Sequence, residues 1–465
     1  MPSNSTISLP RLKPAGLFPK NTFIVELKEI LMLGLPIAIA QIGGMLSGII
    51  STSFLGDLGA LPVAAIGAAS PVFWIVALIG IGALSMTSPL VAAAQERGDK
   101  GEVKRLLYAS TILTVLLAIV QVVILFFIGK NFHLLGYTPE VAAAALPFLW
   151  LMIPVLLPLL LFSNFIFFTD GLSKTRIGMV FSLVALALNV LLCWLFIFGK
   201  FGFPKLGLSG VALSMLLTEI LQVIAMWWYL RRDPFFQSFF AFQISRAEVL
   251  TKLREYASLA LPVGLQALIE YPAYTLGAIW IGNLGKYPLA GHQIAITLAS
   301  STFVILMAIG AAASIRVGQA MGTRNGLQIQ RSGVVGMALA VGFVMIPLLL
   351  FNVMPEPIVR LFIDDENVLP IATSLLMIAG FFQISDAVQS VGISLLRGLE
   401  DTFMPSVISF VCYWLIGVPL GYWFTFHLGW GTIGVWYSFL IGLSTQAVCF
   451  SVRFWQLSSK MRLNE

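Results

Sequence analysis

Charge is what this chain has least of. Only 10% of its 465 residues are Asp, Glu, Lys or Arg, against about 25% in soluble domains. Cysteine is nearly absent too. Cys193, Cys412 and Cys449 all lie in apolar runs, so no disulfide framework is expected. The sequence holds no HExxH, no GxSxG, no DxxxD pair and no Walker A loop. Zinc hydrolase, serine hydrolase, prenyl-phosphate and nucleotidase chemistry therefore lack their motifs, and the chain reads as no enzyme and as using no cofactor. Alternating strands of about ten residues, the mark of an outer-membrane barrel, are missing. The first 25 residues are polar, with no apolar stretch of the kind a cleaved leader carries.

What is there is apolar residues, 58% of the chain. Uncharged runs such as 30–56, 106–128, 141–169 and 402–426 each exceed the roughly 20 residues that cross a bilayer as a helix. Polar punctuation predicts twelve spans, near 30–54, 62–92, 105–128, 141–169, 177–199, 207–230, 255–281, 287–315, 332–354, 368–395, 403–427 and 431–453. The uncharged run 58–95 is expected to form one tilted helix with an interfacial tail. With the N-terminus in the cytoplasm, 22 of the 27 Lys and Arg fall on the inner side. Lys130, Lys200, Lys205, Lys286 and Arg360 fall outside. This follows the positive-inside bias. The net charge of +6 thus describes a membrane face, not a nucleic-acid surface. The acidic run Asp364–Glu366 reads as a solvated outer loop.

The chain repeats. Leu35-Pro36 matches Leu261-Pro262, LGDLG matches IGNLG, and Pro62 matches Pro288, all at an offset of 226. Gln95 and Gly98 match Gln319 and Gly322 at 224. GLSKT from Gly171 matches GLEDT from Gly398 at 227. Six spans per half give both halves one orientation. The fold class expected is all-α and integral to the membrane, with twelve transmembrane helices in two pseudo-symmetric parallel six-helix bundles. The divisions are a cytoplasmic segment 1–29, an N-lobe 30–230, a cytoplasmic linker 231–252, a C-lobe 253–455 and a cytoplasmic tail 456–465. Such an arrangement suits a transporter with its site between the halves.

Three carboxylates sit well inside spans: Glu219, Glu270 and Asp386. Glu270 is the only charge between Tyr256 and Gly285. At 1.5 Å per residue, it lies about 24 Å along its helix from Arg254, and Asp386 about 16 Å from Arg397. No Lys or Arg is expected deep enough to pair with them. A charge at the bilayer centre costs about 2.5–3.5 kcal/mol on insertion scales, so each acid needs a cavity, a proton or a cation. Glu270 and Asp386 are therefore the cation- or proton-binding candidates. Pro272 cannot donate to the Leu268 carbonyl and kinks the helix beside Glu270. Tyr271, Tyr274, Phe382, Tyr413 and Trp414 lie near the acids or on the next helix, where ring faces attract organic cations. Gly44/Gly48 and Gly417/Gly421 are expected to be helix-packing pairs.

These residues carry a resemblance to the multidrug and toxic compound extrusion (MATE) transporters, in particular their bacterial NorM-like branch. The most specific pieces are LAGHQIAI followed by IRVGQAMG, within 289–322, and DAVQSVGISLLRGLEDT, 386–402. LNVLLCWLFIFGKFGFPKLGLSGVA, 188–212, resembles the junction of the fifth and sixth helices. The resemblance implies the two-bundle fold and export of cationic or amphipathic compounds (drugs, toxins, metabolites) against inflowing Na⁺ or H⁺ by alternating access. It places the family's seventh-helix Glu at Glu270, its tenth-helix Asp at Asp386 and a fifth-helix Asn at Asn189. Gln293, Glu219 and Trp414 join Tyr271, Tyr274, Phe382 and Asn189 as expected substrate or ion contacts. The chain departs from the pattern at Ser51, where an acid is expected, at Cys193 and at Phe382. The implied partners are a small organic cation and the lipid bilayer. A Na⁺ at Glu270/Asp386 is the one metal left open. The implied setting is a bacterial inner membrane, multi-pass, with both termini cytoplasmic and a monomeric chain. The alternative reading is a dedicated natural-product exporter or a lipid-linked glycan flippase.

Overall fold

The computed structural model describes residues 20–56 and 58–463. Asp57 of the LGDLG repeat, most of the segment 1–29 and the end of the tail lie outside the described residues.

Among the described residues, twelve long helical spans follow one another. The first lobe holds α1 (Lys20–Gly56), α2 (Ala60–Leu84, continuing as Thr87–Glu96), α3 (Lys100–Lys130), α4 (Pro139–Met152, continuing as Leu156–Gly171), α5 (Thr175–Phe198) and α6 (Leu208–Arg232). The second holds α7 (Arg246–Leu284), α8 (Lys286–Gly322), α9 (Gly326–Val353), α10 (Leu369–Gly398), α11 (helical turns within 403–427) and α12 (Thr432–Leu463). Among the described residues, eleven are long and apolar enough to cross a membrane by length and composition. The exception is α7. It is 39 residues long, but Gln266, Glu270, Tyr271, Pro272 and Tyr274 crowd its middle.

Backbone torsions repeat along with the sequence. The left-handed residues after equivalent helices are Gly59 and Gly285 (φ 107° and 127°), Ser173 and Glu400 (59° and 61°), and Gly207 and Gly431 (55° and 56°). Gly98 (72°) is paired in this way with Arg324 (56°), not with Gly322 as the sequence match suggested. The next residue caps a helix in both halves: Asp99 accepts from the Glu102 amide, and Asn325 from the Gln328 amide, both at 2.8 Å. A short polar side chain at that position satisfies one of the orphan amides of the following helix.

Two expectations need correction. The tail of α2 is not interfacial, since Thr87–Ala94 are all buried, against α4 and α8. The break at Ser85 and Met86 turns this piece into the bundle. The linker contains a helix of its own. Its helix Pro234–Phe240 is capped by Asp233, buries Phe236 and Phe239 and takes the Lys104 Nζ on its Phe240 carbonyl at 3.0 Å. Gly44 and Gly48 meet nothing within 4 Å, whereas a Cβ on Gly421 would lie 2.8 Å from the Ser438 Oγ. Only the second glycine pair is a packing device. The loop with Asp364–Glu366 is solvated as expected. Arg360 pairs with Glu356 at 2.9 Å and with Asp364. The Asn367 amide holds the Asp365 carboxyl below its usual range.

In lipid, apolar burial gains little between helices, and close packing by small residues does more. The lobes use it at the end that carries Arg97, Arg231, Arg246 and Arg324, the basic end. A Cβ on Gly318 would lie 2.4 Å from the Pro89 carbonyl oxygen, and one on Gly322 2.4 Å from that of Ala93. On α7, a Cβ at Gly264 would meet the Ile79 oxygen at 2.4 Å. The Thr87 and Tyr256 hydroxyls share a 2.7 Å bond across the same seam. The first half of α1 crosses to the other lobe, packing Ile30, Leu33 and Ile37 on Ala308, Ala312 and Ile315. There the buried Glu26 accepts from Arg316 Nε and Nη2 (3.0 and 2.8 Å), Ser332 Oγ (2.7 Å) and Gln328 Nε2 (2.5 Å). Glu26→Gln leaves a largely buried guanidinium without its carboxylate. It should lower the unfolding free energy by about 3 kcal/mol, read as a lower melting temperature in detergent. An unchanged melt would show the pair to be energetically idle.

Candidate functional site

Between the lobes lies a cavity of about 460 Å³. It is closed at the basic end by the α2–α7 and α2–α8 crossings. Its wall carries three charges: Asp170 on α4, Glu270 on α7 and Arg397 on α10. Tyr271 also lines it and is 48% exposed.

Glu270 is held by its own helix. Gln266 is one turn earlier, and its Nε2 donates to Glu270 Oε1 at 2.9 Å and to Ser409 Oγ at 3.2 Å. The Gln266 Oε1 accepts from Arg397 Nη2 at 3.0 Å. A neutral amide thus bridges a guanidinium to a carboxylate. This corrects the expectation of no deep basic residue. The Cα of Arg397 belongs near the basic end, but its long side chain reaches along the cavity. Among the described residues, its buried Nε has no hydrogen-bond partner.

Asp386 differs from Glu270. It is 6% exposed and does not line the cavity. It sits inside the second bundle, close enough to Glu270 for their charges to interact. The hydroxyls of Tyr274 and Tyr413 lie 3.4 Å apart, within electrostatic range of both acids. Phe382 packs on Trp436 at 5.9 Å between centroids. The two expected ion ligands are therefore neighbours, one at the cavity wall and one behind it. Glu270, Asp386, Tyr274 and Tyr413 together offer two carboxylates and two phenols, all hard oxygen donors.

Backbone geometry supports the pocket. Tyr413 and Trp414 fall in a π-helical stretch, Val411–Gly417. Such wide turns recur at functional sites, and Pro419, which lacks an amide, follows directly. The Trp414 indole donates to the Ile269 carbonyl at 3.0 Å. Ile269 adjoins Leu268, whose carbonyl Pro272 cannot bond. Pro272→Ala should supply an amide to α7, straighten it and shift the Glu270 carboxylate. The expected result is several-fold weaker ion dependence of transport at near-normal expression. Unchanged ion dependence would make Pro272 a packing residue.

Other expected contacts fall elsewhere. Asn189 is buried in the first lobe, where its Oδ1 accepts from Ser47 at 2.8 Å. Ser51 donates to the Ser47 carbonyl at 2.8 Å and lies 3.4 Å from the Cys193 sulfur. Two of the three positions that depart from the family pattern, Ser51 and Cys193, thus join Ser47 and Asn189 in one neutral cluster. Gln293 is exposed and lies off the cavity. Glu219, on α6 away from the cavity, has a buried Oε2 with no hydrogen-bond partner among the described residues. Gln266, Arg397, Ser409 and Asp170 were not foreseen. The i, i+4 spacing of Gln266 and Glu270 is a signal for the first. Asp170 was set outside its span by a single residue.

Known proteins match this arrangement. The MatE family model matches residues 36–195 and 262–423, and its two starts differ by the repeat offset. The chain is 31% identical to a probable multidrug resistance protein NorM of Rhizobium meliloti, over 94% of this chain and 95% of that one. It is 28% identical to the multidrug resistance protein MdtK of Pectobacterium atrosepticum, over 86% and 88%. The eukaryotic MATE transporter AtDTX14 superposes with a TM-score of 0.83 at 20% identity, over 95% of this chain and 99% of that one. An outward-facing multidrug resistance MATE family transporter does so at 0.84 and 19%, over 94% and 97%. By the family model and by its full-length relatives, this chain belongs to the MatE family of multidrug efflux transporters.

Proposed function

We propose that the chain is a secondary antiporter that exports cationic or amphipathic organic compounds in exchange for a monovalent cation, Na⁺ or H⁺. The observation that carries this is the pairing of Glu270, on the cavity wall, with Asp386, sealed behind it. An ion at Glu270 and Asp386 adds positive charge beside the cavity and disfavours an organic cation within it. Binding one favours release of the other, and that antagonism is the core of exchange. The lobes then rock about this site, opening it to each side in turn. With the basic end in the cytoplasm, as the Lys/Arg bias supports, the present state has its inner gate closed. The membrane would be a bacterial inner membrane, with both termini cytoplasmic and no separate cofactor.

The test is efflux of ethidium from cells or vesicles at fixed pH, with Na⁺ replaced by choline. Loss of efflux assigns Na⁺. Full efflux that stops when the pH gradient is collapsed assigns H⁺. Efflux that ignores both gradients overturns the antiport reading.

A further inference from the structure

Asp170 is the last residue but one of α4. It is 4% exposed, and what remains accessible faces the inter-lobe cavity. Among the described residues, no side chain bonds its carboxylate and no cation pairs with it. The carboxylate lies against α5, with Oδ1 3.8 Å from where a Cβ on Gly178 would be. A larger residue there would cover it.

The repeat gives this position its meaning. DGLSKT from Asp170 matches RGLEDT from Arg397, so the two halves place opposite charges at equivalent points of one cavity. On the second lobe, Arg397 and Glu270 offset each other through Gln266. On the first lobe, the Asp170 charge is met by nothing. With both acids ionised the wall therefore carries one uncompensated negative charge, at Asp170. Burying an unpaired carboxylate is costly, and a ligand bringing the opposite charge repays that cost. Ile166, Phe167 and Met179 flank it on the same wall, an apolar and aromatic surface suited to the body of an amphipathic cation.

We propose that Asp170 is the counter-charge for the positively charged nitrogen of the transported compound, a protonated amine or a quaternary nitrogen, at the first-lobe wall of the cavity. This rests on the efflux reading above and assigns its substrate a specific partner, distinct from the ion pair at Glu270 and Asp386.

The test is equilibrium binding of ethidium to the purified full-length protein in detergent, followed by fluorescence. Asp170→Asn keeps the shape and removes the charge, and should weaken binding about tenfold to hundredfold. Asp170→Glu should bind within a few-fold of the unmodified chain. Photolabelling of the unmodified protein with an azido derivative of ethidium needs no variant, and should modify the segment 166–182. Unchanged affinity in Asp170→Asn, or labelling confined to other segments, overturns the assignment. Retained ethidium affinity with lost ion dependence would also overturn it, making Asp170 an ion site. Failure of the unmodified protein to bind ethidium would instead strike at the efflux reading itself.

Discussion

Replacing Glu270 with Gln, or Asp386 with Asn, is expected to reduce gradient-driven efflux to the passive leak while the protein still inserts and folds. Each amide has nearly the volume of the acid it replaces. In Glu270→Gln the oxygen that accepts from Gln266 at 2.9 Å can be kept. What disappears is the charge, and with it the ability to bind and release a proton or hold a dehydrated cation within the bilayer. The variants should differ in detail. Glu270→Gln leaves Arg397 without the carboxylate that offsets it, so it should also weaken binding of an organic cation. Asp386→Asn acts behind the wall and should spare that binding. Ion-dependent efflux and ethidium binding, measured on both variants, separate the two effects. Pumping at the normal rate by both would remove the pair from the coupling machinery.

Gly318→Val is expected to hold the inner gate open. The added side chain starts 2.4 Å from the Pro89 carbonyl oxygen, a backbone atom that cannot turn aside. Overpacking of this kind costs about 1–3 kcal/mol, enough to shift a two-state population by about 5- to 150-fold. The clash exists only while α2 and α8 touch, so the cost falls on this state alone. A spin-label pair across the seam at the basic end should report longer distances in the variant, with transport largely lost. An unchanged distance distribution would mean that the crossing is not a moving gate.

Much of this architecture was legible because hydropathy and charge act along the chain. The span positions follow from apolar length, and the parallel halves follow from a repeat that the left-handed turns at Ser173 and Glu400 echo in torsion angles. Glu270 and Asp386 stood out because an acid in an apolar run has few explanations. What could not be read was reach across helices. Arg397 belongs by sequence to the basic end, yet its guanidinium joins the site through Gln266. Asp170 fell one residue past an expected span, and only the fold shows that it is buried. The wide turns around Tyr413 and Trp414 depend on how α11 adjusts before Pro419 and packs on α7. No local pattern announces them. The sequence also overstated Asn189, which bonds Ser47 within its own lobe and not the cavity.

An ion gradient is expected to drive an organic cation across the membrane through one alternating site. The most direct test is uptake of ethidium into proteoliposomes of the purified chain under an imposed Na⁺ gradient, an imposed pH gradient, or neither. The dye should accumulate against its own gradient under at least one of the two, and not at all with both collapsed. Accumulation at the same rate with both gradients collapsed would contradict this coupling.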